Sequence, residues 1–284
     1  MDSTTAQDVW LARHPYLQRV ADFHEQVSVA AANIPVVRQH TPNFDNYIDD
    51  YQAGIPLLRS AHAGIDFKPA EAILVSLIES TASKPLPEKL ASECRVSGFQ
   101  LRGELNAPRR AVAWLLGDET FSPAHPGLLR YLGWTALARF LYPLRVAFGT
   151  WREEEQWLRS YCPTCGALPA MAQLVGSDPG RLRFLSCGCC GTRWRFPRMG
   201  CPFCESTGDH QLYAVAIEGE TSLRIDYCES CRAYLKTYLG GGSEPFFLAD
   251  WTSLHLDIIA SDRGLKRLAA SLYELHLPTA VLAR

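Results

Sequence analysis

Nine of the ten cysteines in this 284-residue chain fall between Cys162 and Cys231. Eight of them form pairs separated by two residues: Cys162-Pro-Thr-Cys165, Cys187-Gly-Cys189-Cys190, Cys201-Pro-Phe-Cys204 and Cys228-Glu-Ser-Cys231. Two intervening residues let the backbone fold into a knuckle whose thiolates point at one ion. A tetrahedral site then takes a second knuckle from a distant segment. The segments opening at Cys162 and Cys201 repeat the same order: Cys-Pro-Xaa-Cys, strand-like alternation, then another knuckle. Two tandem ribbons follow as the simplest division, each with a tetrathiolate ion. Cys162, Cys165, Cys187 and Cys190 would hold one ion, and Cys201, Cys204, Cys228 and Cys231 the other. A cross-braced arrangement, first pair with third, is the alternative. Tetrahedral sulfur suits both zinc and iron of the rubredoxin type, so the ligands leave the metal open.

Other cysteine chemistry fits less well. The acidic start, Met1 to Asp8, lacks the apolar core of a secretory signal, so a reducing cytoplasm is expected, where paired cysteines bind metal more often than they form disulfides. A thioredoxin-like pair needs a βαβ setting, absent here. Paired knuckles suit a mononuclear site better than an iron–sulfur cluster. Cys189 reads as a spare thiol facing outward, and Cys94 as a small buried hydrophobe.

The elements that must position these thiols are short hairpins. Leu182 and Phe184 alternate with Arg181 and Arg183 before the second pair, while Tyr213, Val215 and Ile217, then Leu223, Ile225 and Tyr227, alternate between the third and fourth. Gly166 and Gly191 follow the first ribbon's knuckles, where glycine relieves backbone strain. Glu205 and Arg232 occupy the equivalent places in the second ribbon.

The first half of the chain reads as helical. Tyr16, Val20, Phe23 and Val27 follow Pro15, and Phe44, Tyr47, Ile48 and Tyr51 run to Gly54. Pro69 opens a segment with Ile73, Leu74, Leu77 and Ile78, and Ala111, Val112, Leu115 and Leu116 mark another. Pro126 starts a longer helix that Pro143 should kink or end. Its apolar window, Leu128 to Gly149, is interrupted by Arg130, Arg139 and Arg145, so no membrane insertion is expected of it. His14, His24, His40, His62 and His125 have no ligand-spaced partner in sequence and read as packing or surface residues. The fold class is therefore multidomain α + small β: a helical domain over 1–158, two tandem rubredoxin-like or zinc-ribbon metal domains over 159–199 and 200–242, and a C-terminal segment over 243–284 with a terminal helix.

Charge narrows the function. The chain carries a formal net charge of −2, and the region from Ser160 to Gly240 holds eight Arg or Lys against seven Asp or Glu. Two tetrathiolate ions would take that region to about −3, a poor phosphate surface, so no nucleic-acid partner is expected. Arg193-Trp194-Arg195-Phe196-Pro197-Arg198 joins the ribbons as a basic and aromatic segment. It reads either as inter-ribbon packing or as a partner-binding face.

In this order behind a helical half, the motifs resemble the family of the formate dehydrogenase accessory protein FdhE. The resemblance rests on Cys162 to Gly166, Leu185 through Trp194, Arg198 to Cys204, Cys228 through Thr237, and Gly54-Ile55-Pro56-Leu57-Leu58 in the helical half. It implies a cytoplasmic maturation factor and no enzyme. Such a factor would bind the catalytic subunit of a respiratory formate dehydrogenase before export and help it become active. It also implies rubredoxin-like character, with iron as a candidate metal. The alternatives are a zinc-ribbon nucleic-acid or transcription adaptor and a rubredoxin-type electron-transfer protein.

Overall fold

Capping residues, prolines and glycines punctuate the helices. Thr5 and Asp8 make a reciprocal capping box at the start of α1 (Ala6–Arg13). A 3₁₀ turn over Pro15–Leu17 leads into α2 (Gln18–Asn33). The next helix, α3 (Ile48–Ala53), stops at Gly54, whose φ of 82° closes the helix in the left-handed region. Beyond it run α4 (Lys68–Ala82), α5 (Glu88–Gly103), α6 (Ala107–Leu115) and α7 (Pro126–Trp151). This computed structural model describes residues 5–36, 41–177, 180–207 and 211–271. His40 and the end of the C-terminal segment, 272–284, lie outside the described residues.

Pro143 does not end α7, a helix of 26 residues that runs on to Trp151. Proline removes the bond to the carbonyl four residues back. Both Pro143 and Arg139, whose carbonyl loses that donor, are exposed, so water can take its place.

Behind the helices lies one six-stranded sheet. The first ribbon supplies β1 (Pro169–Val175), β2 (Leu182–Cys187) and β3 (Arg193–Phe196); the second supplies β4 (Leu212–Ala216), β5 (Leu223–Cys228) and β6 (Tyr234–Tyr238). Their order is β3-β2-β1-β6-β5-β4. Within each ribbon the neighbours are antiparallel, and the ribbons join through parallel pairing of β1 with β6, in register Met171↔Lys236 and Gln173↔Tyr238. Thus the first strand of one ribbon meets the third strand of the other, a head-to-tail repeat. Arg183, buried on β2, holds the linker between ribbons by donating to the carbonyls of Pro197 and Gly200. After β6 come α8 (Glu244–Phe247), a 3₁₀ turn over Asp250–Ser253, and α9 (Leu254–Asp262).

The hydrophobic interior forms two clusters. One runs from Leu74, Leu77, Leu132 and Phe148 of the helices into Leu185, Trp194 and the cysteines of the first ribbon. The other gathers Trp10 and Leu17 from the N-terminus, Met171, Leu223, Ile225 and Tyr234 from the sheet, and Phe247, Trp251 and Leu256 beyond it. The first ribbon therefore shares its core with the helices, and the second shares its core with both ends of the chain.

Candidate metal centres

All four knuckles have the same backbone. Each first cysteine donates its N–H to the carbonyl five residues on (Ala167, Thr192, Ser206 and Ala233), at 2.9, 2.9, 3.0 and 2.9 Å. Each also accepts from the N–H four residues on: Gly166, Gly191, Glu205 and Arg232. Closing that loop puts the fourth residue in the left-handed region, with φ of 79°, 71°, 58° and 59°. Glycine takes this conformation freely; a side chain raises its cost by about 1–2 kcal/mol. In the second ribbon the two side chains have local partners. Glu205 accepts from the Ser160 hydroxyl at 3.0 Å. The Arg232 guanidinium reaches Glu229 and the Arg263 carbonyl, both at 3.0 Å.

The knuckles converge in two sets. Cys162, Cys165, Cys187 and Cys190 have sulfurs within 4.8 Å of one another, and Cys201, Cys204, Cys228 and Cys231 form a second such group. The sets pair first knuckle with second and third with fourth; the cross-braced alternative is not the one formed. Close contacts are Cys162–Cys190 and Cys165–Cys187 at 3.5 Å, Cys201–Cys231 at 3.7 Å and Cys204–Cys228 at 3.8 Å. A tetrahedral ion with metal–sulfur bonds of about 2.3 Å places its sulfurs about 3.8 Å apart. Either set could hold such an ion with little rearrangement.

Proton affinity is divided unevenly within each set. Sulfur contacts from Cys162 and Cys187, together with burial, hold Cys165 well above the usual thiol range. Cys190 is well below it, because contacts from Cys162, Cys165 and Cys187 outweigh its burial. In the second set burial pushes Cys201 up to about 12. Burial also opposes the Cys228 thiolate, but the N–H groups of Cys231 and Ser230 and the Ser206 hydroxyl bring it down to about 6. Thiols sharing protons in this way become four thiolates when a divalent ion displaces those protons.

The sets differ most in their surroundings. Every sulfur-bearing residue of the first is buried, at 0, 4, 3 and 1% exposure for Cys162, Cys165, Cys187 and Cys190. Leu57 and Leu58 donate their N–H groups to the Pro163 and Thr164 carbonyls, both at 2.9 Å, so the Gly54–Leu58 segment clamps the first knuckle. Tyr161 donates to the Gly54 carbonyl at 2.7 Å. Arg145 of α7 donates to the Gly191 carbonyl at 2.9 Å, and Arg152, just past the end of that helix, donates to the carbonyl of Arg193. The second set lies at the far end of the sheet, where Cys204 is exposed and Cys231 half-buried.

One expectation changes, and one pair of alternatives is narrowed. Cys189 faces inward, at 1% exposure among the residues of the first core, because the knuckle packs against the helices and leaves no solvent side. In the junction segment, Trp194 is fully buried and Phe196 nearly so. Trp194 donates to the Arg159 carbonyl at 2.9 Å, so the rings belong to the core. Arg195, paired with Glu155 at 2.6 Å, stays partly exposed. His14 is a second departure: spacing gave it no partner, yet folding brings it to Glu220 and His255.

Comparisons with known proteins point one way. The family description "FdhE, central domain" matches residues 161–198. A curated FdhE homolog of Stutzerimonas stutzeri is 33% identical over 180 residues, covering 61% of this chain and 57% of its own. One from Pseudomonas aeruginosa is 32% identical over 203 residues, covering 66% and 62%. The chain thus spans less than two thirds of the length of these curated relatives. The crystal structure of the Pseudomonas aeruginosa FdhE protein superposes with a TM-score of 0.61 at 23% identity, over 91% of this chain and 88% of that one. It shares the fold.

Proposed function

We propose that this chain, which matches the FdhE central domain over residues 161–198 and is similar to curated FdhE homologs, is an FdhE-type accessory factor for formate dehydrogenase. In this reading it is no enzyme. It binds the catalytic subunit in the cytoplasm before export or assembly, and holds two ions, iron or zinc, one in each cysteine set. No helix among the described residues is long and apolar enough to cross a membrane.

The observation that carries the reading is the contrast between the two sets. One is sealed between the first ribbon and the helices, where cross-linking knuckles stabilises the fold. The other stands open at Cys204 on a rigid sheet, where a partner can reach it. The ion supplies a fixed tetrahedral cross-link and, if it is iron, a one-electron couple. The same exposure favours a second reading, rubredoxin-type electron transfer to or from the partner.

The test is anaerobic capture of the tagged full chain with metal analysis, alongside a strain lacking it. Co-purification of the formate dehydrogenase catalytic subunit, two cysteine-held ions per chain, and loss of formate oxidation in the deletion strain are expected. Formate turnover by the isolated metal-replete protein with an artificial acceptor would overturn the accessory role, as would undiminished formate oxidation in the deletion strain. A reversible visible redox change coupled to the partner would select the electron-transfer reading.

A further inference from the structure

Three segments remote in sequence meet away from both cysteine sets. His14 ends α1, Glu220 lies in the turn between β4 and β5, and His255 sits in the first turn of α9. His14 Nε2 is 3.1 Å from Glu220 Oε1, and His255 Nε2 is 2.6 Å from the same oxygen. The two imidazoles stack with centroids 5.0 Å apart. All three side chains are largely removed from water, with exposures of 9, 7 and 14% for His14, Glu220 and His255.

The hydrogen bonds do not all close: His14 Nε2 bonds Glu220 Oε1 only if the ring is an imidazolium. His14 Nδ1 lies 3.0 Å from the Trp10 carbonyl, which can only accept, so Nδ1 carries a hydrogen. In the neutral ring Nε2 is then a bare lone pair, and it faces a carboxylate oxygen, a second acceptor. Glu220 Oε2 and His255 Nδ1 are buried without a hydrogen-bond partner, and His255 Nε2 meets Glu220 Oε1 at 2.6 Å without hydrogen-bond geometry. Buried polar groups in folded proteins are nearly always satisfied. A cation among the three side chains would turn facing acceptors into ligands.

We propose that His14, Glu220 and His255 form a third metal site, for a divalent cation of the zinc class. Two imidazoles and a carboxylate suit such an ion, and three protein ligands leave its fourth position to water. The Nδ1–H of His14 on a backbone carbonyl is the outer partner that fixes tautomer and ring orientation in metal-binding histidines. A tetrahedral zinc ion sets its nitrogen and oxygen ligands about 3.3 Å apart, so His14 already stands close to its place and His255 withdraws by roughly 0.7 Å. Neighbouring contacts hold the segments ready: Arg13 donates to the Gly219 carbonyl, and Trp10 Nε1 donates to the Thr252 carbonyl at 3.0 Å. The ion fastens the N-terminal helix to the hairpin turn and α9, a junction outside the strand ladder.

Zinc titration of the full chain, read by mass spectrometry under non-denaturing conditions, counts the ions directly. Wild-type protein is expected to hold one ion more than its cysteines account for, and His255→Gln and Glu220→Gln to lose that one ion while keeping the rest. Cobalt(II) identifies the donors: the additional equivalent should give weak visible bands of nitrogen and oxygen coordination without sulfur charge-transfer intensity. The wild-type arm needs no variant to fold. Saturation at the cysteine-held ions alone, a cobalt spectrum with only sulfur-bound character, or an additional ion retained by both variants would overturn the site.

Discussion

Lys236 offers a quantitative test of how the second ribbon is joined to the C-terminal segment. Its ammonium is fully buried on β6, 2.6 Å from Asp250 and 2.8 Å from Asp257. Arg267 reaches the same two carboxylates at 2.9 and 2.8 Å. Tyr234 donates to Asp257 and Ser271 to Asp250, at 2.7 and 2.9 Å. The cluster holds two cations and two anions and is neutral. Lys236→Met leaves two buried carboxylates against one guanidinium, and removing one partner of a buried ion pair costs about 3–5 kcal/mol. Asp250→Asn leaves the opposite imbalance and should cost a similar amount. The double variant retains Arg267 and Asp257 as a neutral pair, so it should be less destabilised than the sum of the singles by about 1–3 kcal/mol. Urea unfolding followed by tryptophan fluorescence measures this, because buried Trp251 is next to Asp250. The midpoint should fall at unchanged slope. A Lys236→Met loss under about 1 kcal/mol, well below the cost of an uncompensated buried charge, would refute the reasoning. Strict additivity of the two substitutions would refute it as well.

The same cluster predicts a pH dependence. Burial opposes the Asp250 carboxylate, but Lys236 and Arg267 outweigh it and hold its pKa below the usual range. Its contribution is therefore complete above the unfolded value of about 3.9 and is lost as pH falls toward the folded one. Unfolding midpoints from pH 7 to 3 should show this acid loss in wild type and a smaller one in Asp250→Asn. A chelator should remove one ion quickly and the other slowly, as metal content over time will record, because Cys204 is exposed and the first set is sealed; equal rates would contradict the placement. Gly166→Ala should destabilise by about 2 kcal/mol or more by denaturant titration, since its φ is 79° and a Cβ would meet Pro56 at 3.1 Å and Arg59 at 3.2 Å. Gly149→Ala in α7, where a Cβ meets nothing within 4 Å, should instead gain about 0.5–1 kcal/mol in the same titration.

What could be read from the sequence was what is local. A knuckle is closed by bonds within six residues, so Cys-Xaa-Xaa-Cys and the residue after it carry their geometry with them, including Glu205 and Arg232 in place of glycine. Hairpin alternation fixes which knuckles are neighbours within a ribbon. The helix over Glu88–Gly103 escaped notice because its buried face includes Ala91, Cys94, Ser97 and Gly98, too small and polar to make an apolar stripe. The parallel joint of β1 and β6 escaped for a different reason. Its partners, such as Met171 and Lys236, are far apart in the chain, and no turn chemistry links them.

That joint explains why the most misleading residues in the sequence are charged or polar ones. Lys236 lies in a strand, yet parallel pairing covers β6 on one side while the Asp250–Ser253 turn covers its end. Burial there is tolerable only because Asp250, Asp257 and Arg267 arrive from the chain's last described segment. His14 follows the same logic at the other end of the chain, meeting Glu220 and His255 only after α1 has packed on the second ribbon's core. Gly54–Leu58 does so in the helical half, its N–H groups capping the carbonyls of a knuckle more than a hundred residues away. In each case a polar group that local pattern would leave in water is met by a segment that arrives with the fold. The sites are therefore properties of the assembled sheet and its covering helices, and the variants that probe them should report on that assembly before they report on any single ribbon.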